Sequence, residues 1–302
     1  MTAVAEEVID QANPVRAFLR LVVIEHSVFA LPFAYVAALT AMAQSRSGTH
    51  WVDLVLITVA MVSGRTFAMA VNRIVDRELD ARNPRTASRE LVTGAVSVRT
   101  AVVGSGVALA VFLVAAGLLN GLCLALSPIA LGLLILYPYG KRFTWFCHGI
   151  LGLAQACAPL GAWIAVTGHW SWAATALGLG VGLWIGGFDL IYALQDMAHD
   201  RAEGVHSLPA RFGPRVALHV SSGAHVVTFA LFVVYGLAQN LGPLWYVGLA
   251  VVAVLFAYEH SIVGPNDWSR LNRAFFTANG VVGIVLFGFA VADLVVHGHL
   301  TA

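Results

Sequence analysis

Residues 72–86, from Asn72 to Thr86, read NRIVDRELDARNPRT. Four arginines, two aspartates and a glutamate crowd into this stretch, in a 302-residue chain that is 59% hydrophobic and only 11% charged. On a helix, residues four apart share a face at about 6 Å between Cβ atoms, so Asn72, Asp76 and Asp80 form one polar stripe. Outside this stretch and the polar connection that follows it, the chain is mostly oily. With mean hydropathy at +0.81, the apolar surface exceeds what a water-soluble globule can hide. Windows of about 20 mainly apolar residues, enough to cross the hydrocarbon core as helix, lie at 21–43, 51–72, 100–119, 121–139, 149–167, 172–193, 216–240, 243–262 and 277–297. They predict an all-α membrane protein, nine transmembrane helices in a single integral-membrane domain over 1–302.

The opening residues MTAVAEEVIDQA lack the basic start and short apolar core of a cleavable signal, so the first span is expected to remain as a permanent helix. Orientation follows from the basic residues, because short cytoplasmic loops retain Lys and Arg. With the N-terminus inside, Arg16 and Arg20 precede span one, and Arg73, Arg77, Arg82, Arg85, Arg89 and Arg99 lie between spans two and three. Lys141 and Arg142 follow span four; Arg201, Arg211 and Arg215 follow span six; Arg270 and Arg273 follow span eight. Fifteen of the seventeen basic residues are then cytoplasmic, with Arg46 outside and Arg65 within span two. The outer connections are short and nearly uncharged, so chemistry is expected on the inner face. The bilayer is the macromolecular partner, and a formal net charge of +1 gives no field suited to nucleic acid. Cys123, Cys147 and Cys157 share no metal-ligand spacing and read as small hydrophobes. His199, His206 and His260 likewise lack a metal-ligand pattern and read as loop or interfacial residues.

Two inner connections are long and polar, at 73–99 and 194–215, and they resemble each other. The first carries Asn72, Asp76 and Asp80 at four-residue intervals; the second carries Tyr192, Asp196 and Asp200 at the same spacing. Each follows an even-numbered span, four spans apart. Two four-helix halves plus one extra helix would set these loops opposite each other across a central cavity. A single like-charge pair four residues apart is mildly destabilising and is often just a solvated helix end. Two such pairs on equivalent inner ends argue for a shared cation. All-oxygen ligands select Mg²⁺ or Ca²⁺ over zinc, and Mg²⁺ takes one or two carboxylates together with phosphate oxygens and water. Four aspartates at about −4, two Mg²⁺ at +4 and a diphosphate ester at roughly −3 call for about three converging basic residues.

Arg65 lies seven residues before Asn72, and Asp189 seven before Asp196, so each shares its motif's helix face about 10 Å further into the membrane. An ionisable group at that depth is expensive unless it meets a partner or a polar cavity. Arg65 and Asp189 therefore either pair with each other or touch substrate. Glu25 and His26 in the first span pose the same choice. Arg82 and Arg85 belong to the first loop, where cytoplasmic retention is sufficient explanation, while Arg73 and Arg77 serve either a diphosphate or topology.

Three stretches in order, the Asn72, Asp76, Asp80 motif, YPYGKR at 137–142 and FDLIYALQDMAHD at 188–200, resemble the UbiA superfamily of intramembrane prenyltransferases. The resemblance covers the whole chain. It implies Mg²⁺-dependent transfer of a polyprenyl group from its diphosphate to a small aromatic acceptor, usually in quinone biosynthesis. It also implies that Asn72, Asp76, Asp80, Asp196 and Asp200 hold Mg²⁺ and diphosphate, and that Lys141 and Arg142 bind diphosphate or an acidic acceptor. Asp189 matches an aspartate assigned to acceptor activation, Tyr192, which opens the second motif, joins it in the catalytic set, and Arg65, Arg73 and Arg201 join the substrate-binding set. The wording of RTFAMAVNRIVDRELDARNPRTASREL, HSLPARFG and YEHSIV is similar to the bacterial 4-hydroxybenzoate-prenyltransferase-like group, which includes the MqnP enzymes proposed to prenylate a dihydroxynaphthoate on the way to menaquinone. A place in the bacterial cytoplasmic membrane, with the active site facing the cytoplasm, follows from that likeness.

The physical logic agrees: cationic charge stabilises a departing diphosphate, and an electron-rich ring attacks the allylic carbon. Asp189 in a low-dielectric site is the candidate for activating the acceptor. Phe29, Phe33 and Trp184 either line an apolar tunnel or simply pack. The rival from another class is a cation-coupled transporter, since carriers also bury Asp and Arg. Carriers, however, place their sites near mid-membrane, whereas these aspartates cluster at the inner boundary. A second rival is the same fold acting on a haem, chlorin, lipid or sugar acceptor, or working as an intramembrane terpene cyclase.

Overall fold

The computed structural model describes residues 18, 21–22, 30–45, 50–271 and 279–297. Arg16, Arg20, Glu25, His26, Phe29, Arg46 and Arg273 lie outside the described residues. Among the described residues, nine helices carry the fold: α1 Leu31–Ser45, α2 Trp51–Arg82, α3 Val98–Leu119, α4 Gly121–Gly140, α5 Cys147–Thr167, α6 Trp172–Tyr192, α7 Pro214–Ala238, α8 Pro243–Ile262 and α9 Asn279–Val296. The last eight are long and apolar enough to cross a membrane, and α1 is a shorter apolar helix within the first predicted span. Among the described residues the β structure is a lone bridge between Gly264 and Asp267.

Each long helix packs on its neighbour in sequence, and α9 closes the circuit against α1. Within the first half α2 touches both α3 and α4; α5, α6, α7 and α8 follow one another in the second, and α1 joins the halves by packing along α5. The closest approach is between α5 and α6. A Cβ added to Gly152 would stand 2.6 Å from the Gly182 carbonyl oxygen, and one added to Gly178 would stand 2.6 Å from that of Ala156. Small residues let backbones meet where lipid supplies no hydrophobic drive to association.

Helix ends are fixed by side chains that satisfy orphan backbone groups. Asn120 Oδ1 accepts from Cys123 N at 2.9 Å while its Nδ2 donates to Ile164 and Ala165 carbonyls, tying the α3–α4 turn to the end of α5. Asp293, a buried carboxylate on α9, accepts from Gly242 N at 2.6 Å and Leu244 N at 3.1 Å and so caps α8. At mid-depth the interior is packed. Phe33 lies 5.3 Å from Trp184 and 5.4 Å from Phe232 between ring centroids, and Trp184 lies 5.3 Å from Phe188, all of them buried. Phe33 and Trp184 are thus packing residues rather than an open lining.

Two local differences from the sequence expectation matter for the site. The first inner connection does not begin at 73, because α2 runs unbroken for 32 residues to Arg82. At 1.5 Å per residue that is roughly 48 Å, well beyond a hydrocarbon core of about 30 Å. The motif therefore rides on the protruding end of a rigid helix. The second motif is built differently: α6 stops at Tyr192, residues Ala193–Asp196 form a 3₁₀ turn, and a short helix Met197–Glu203 follows.

Candidate active site

Asp76 and Asp80 are buried at 1% and 6% exposure despite lying at the polar end of α2. Carboxylates so placed need compensation, and cations from other segments provide it. Asp76 Oδ2 lies 2.5 Å from Lys141 Nζ, and Arg142 stands 3.8 Å from its Oδ1. Both basic residues follow the end of α4 at Gly140, two residues after Pro138. Asp80 takes both of its oxygens to Arg89 Nη1 at 2.6 Å. Asn83 to Arg89 form a tight turn, with Thr86 N and Ala87 N both bonding Asn83 O at 2.9 Å, and this turn carries Arg89 back onto the helix end.

The same turn reaches across to the second motif. Arg85 grips Asp196 with a fork, Nε to Oδ1 at 2.9 Å and Nη2 to Oδ2 at 2.6 Å, while Asn83 Nδ2 adds a bond to Oδ1 at 3.0 Å. Burial alone would lower the Arg85 pKa, but the hydrogen bonds and charge of Asp196 carry it above its ordinary value, so the guanidinium stays charged. It also lies over the Tyr192 ring, 5.5 Å from the centroid. Arg82 Nη1 meets Glu203 at 2.9 Å further out. Asp200 accepts from Ser207 Oγ at 2.7 Å, and Ser207 also caps the short helix Leu208–Phe212. The structure thus brings the two aspartate motifs together, with Lys141, Arg85 and Arg89 each set on one aspartate.

The remaining residues singled out in the sequence divide. Arg142 donates to Val75 O at 2.6 Å, alongside Asp76. Arg73 Nε donates to Leu21 O and Arg77 Nε to Leu91 O, so these two brace backbone segments. Arg201 is exposed and donates to Ala210 O at 2.8 Å, which holds the loop. Among the described residues Arg65 and Asp189 do not pair. Asp189 Oδ2 instead meets His148 Nδ1 at 2.7 Å, across the α5–α6 contact, and the buried Nε atom of Arg65 has no hydrogen-bond partner among the described residues.

Three residues of this arrangement were missed by sequence reasoning as site members. Arg85 and Arg89 sit in a loop whose basic residues topology already explains, so only the turn geometry singles them out. His148 carried a signal that was passed over, being a histidine inside an apolar run, where a polar side chain needs a partner.

The fold and the site together define a polytopic membrane protein in which two related motifs form a cluster of carboxylates compensated by cations. The chain belongs to the UbiA prenyltransferase family, whose model matches residues 30–281, and is an enzyme of that kind. It is 34% identical over 240 residues to the 4-hydroxybenzoate octaprenyltransferase of Alkalilimnicola ehrlichii, covering 78% of this chain and 80% of that one. It is also 34% identical over 252 residues to the enzyme of the same description from Nitrosospira multiformis, covering 83% and 86%. A solved apo structure of a UbiA homologue from Aeropyrum pernix K1 superposes with a TM-score of 0.79 at 34% identity, over 90% of this chain and 98% of that one. Membership of this family replaces the transporter reading.

Proposed function

We propose that the protein transfers a polyprenyl group from its diphosphate to a small aromatic acceptor of the 4-hydroxybenzoate or dihydroxynaphthoate type, with Mg²⁺ as cofactor, in ubiquinone or menaquinone biosynthesis. The observation that carries this reading is the convergence of both aspartate motifs with Lys141, Arg85 and Arg89 at one end of the bundle. Relatives described as 4-hydroxybenzoate octaprenyltransferases support the acceptor class. The clustering of basic residues at this end supports a site facing the cytoplasm from the inner membrane, with the N-terminus inside.

The donors fit Mg²⁺: Asn72, Asp76, Asp80, Asp196 and Asp200 offer oxygen only, and the buried Asp76 Oδ1 lacks a hydrogen-bond partner among the described residues. These residues would hold Mg²⁺, which would supply positive charge to offset that of the departing diphosphate. A diphosphate entering between the motifs offers Lys141, Arg85 and Arg89 a more highly charged partner than the carboxylates they now hold. The Arg85 fork, already bidentate on Asp196, suits phosphate geometry equally well. Deeper in, His148 fixes Asp189 through Oδ2, leaving Oδ1 to accept a proton from the acceptor hydroxyl. The ring carbon then attacks the allylic carbon as its C–O bond to diphosphate breaks, the departing diphosphate on the cationic side takes up the ring proton, and Asp189 returns its proton to the phenolate oxygen. The test is purified protein, Mg²⁺ and a radiolabelled prenyl diphosphate, offered 4-hydroxybenzoate, dihydroxynaphthoates and homogentisate in turn. Label in the product of one acceptor is expected; label in none of them overturns the acceptor class.

A further inference from the structure

Away from the aspartate motifs, polar side chains from four helices meet inside the half built from α6 to α9. His225 comes from α7, Glu259 and His260 from α8, Asn279 from α9 and Trp184 from α6. His225 and Glu259 are buried, at 2% and 1% exposure. His225 Nδ1 lies 3.1 Å from His260 Nε2 and 3.5 Å from Glu259 Oε2, and the three donor atoms all fall within 4.8 Å of one another. Ligands at 2.0–2.1 Å from a tetrahedral ion are about 3.3 Å apart. The two separations from His225 Nδ1 match that spacing, and the third donor pair stays within 4.8 Å.

The surroundings orient these groups as a metal site requires. His225 Nε2 stands 3.2 Å from the Trp184 carbonyl, which can only accept. The ring therefore carries a proton there and turns the Nδ1 lone pair into the cluster. His260 Nδ1 stands 3.2 Å from Ser222 Oγ, which fixes that ring from its far side. Glu259 Oε1 accepts from Asn279 Nδ2 at 2.6 Å, and Asn279 Oδ1 accepts in turn from Trp184 Nε1 at 2.8 Å.

A hydrogen-bonded chain without metal accounts for part of this: His260 Nε2–H can donate to His225 Nδ1, with Ser222 serving His260 Nδ1. It leaves one atom over. Glu259 Oε2 is buried, points into the cluster and has no hydrogen-bond partner among the described residues. A buried carboxylate oxygen without a partner is costly, and a cation between the three donors removes that cost.

We propose that His225, Glu259 and His260 form a second metal site, separate from the aspartate motifs, which takes a divalent transition ion of the zinc class and staples α7 to α8. Two imidazoles and one carboxylate are a zinc-type donor set and a poor one for Mg²⁺. His225 and Glu259 are buried and His260 is half-buried, so an ion held by the three would bridge α7 and α8 and take its fourth ligand from water.

The experiment is metal analysis of the full chain, tag removed, purified in detergent and re-equilibrated with Zn²⁺ or Co²⁺, followed by X-ray absorption at the bound metal. About one ion per chain with imidazole nitrogen in its coordination sphere is expected. Glu259→Gln and His260→Gln should each drop the content to below about a tenth of an ion per chain, while Asp76→Asn and Asp196→Asn, which remove the Mg²⁺ donors, keep it. Wild-type protein that retains no transition ion, or an ion bound only by oxygen, overturns the proposal. So does full metal content in either cluster variant. If a variant does not fold, the wild-type absorption spectrum alone decides.

Discussion

Asp76 and Asp196 are ion-paired, yet they do not use their neighbours in the same way. Asp76 is closed in by Lys141, and its Oδ1 has no hydrogen-bond partner among the described residues, whereas Asp196 has both oxygens taken by Arg85 and a further bond from Asn83. Replacing Asp76 or Asp196 by Asn should abolish prenyl transfer without loss of helical content or monodispersity; retained turnover would sink the metal assignment. Arg85→Ala removes two charge-assisted hydrogen bonds, each worth about 1.5–3 kcal/mol. If that fork passes to diphosphate, KM for the prenyl donor rises by roughly tenfold to a hundredfold. Mg²⁺ binding without donor should at the same time tighten, because Asp196 loses its competing cation; a fall in both would mark Arg85 as purely structural. Asp189→Asn should lower kcat with acceptor while leaving donor binding intact, and equal loss of both would contradict its assignment to the acceptor.

At the scale of helices, the α5–α6 contact sets the His148–Asp189 pair. His148 lies near the start of α5 and Asp189 near the end of α6, so their 2.7 Å separation depends on how closely the two backbones run. A Cβ at Gly182 would press on the Gly152 carbonyl, which is backbone and cannot swing aside. Gly182→Ala is therefore expected to cost about 1–3 kcal/mol by overpacking and to cut turnover although it touches no substrate; unchanged thermal stability and kinetics would show that the helices yield freely. The second motif depends on a weaker element. Ser207 caps the short helix Leu208–Phe212 and donates to Asp200. Ser207→Ala should lose about 1 kcal/mol of cap and weaken Mg²⁺ binding through Asp200, read as a raised Mg²⁺ requirement at saturating donor; an unchanged requirement would separate Ser207 from the metal site.

For the whole molecule, the arrangement predicts a sidedness that can be measured. Single-cysteine reporters at Trp170, between α5 and α6, and at Val205, between the short helix Met197–Glu203 and Ser207, should be labelled by an impermeant reagent from opposite sides of the membrane. Val205 should be reached only when the cytoplasmic face is open. Labelling of position 205 in intact cells would reverse the orientation inferred from the basic loops.

Much of the fold was legible in the chain because a bilayer imposes a simple rule: about 20 apolar residues make a span, and the order of those spans follows from the windows. The stripe of Asn72, Asp76 and Asp80 could be read from helical periodicity, because α2 does continue as one helix to Arg82. The second motif was legible as spacing but not as shape, since the 3₁₀ turn at Ala193–Asp196 breaks the regular rotation. Which charge meets which was beyond any local pattern. Arg85 and Asp196 lie 111 residues apart, and His148 and Asp189 lie 41 apart. The histidines illustrate the limit most plainly: His225 and His260 have no ligand spacing along the chain, and only the packing of α7 on α8 sets them 3.1 Å apart with Glu259 beside them. Sequence alone determined the spans and the local carboxylate motifs, because hydropathy and helical period act over a few turns. Tertiary structure decided the partners, because a buried charge or ring is compensated by whatever side chain the helix packing delivers.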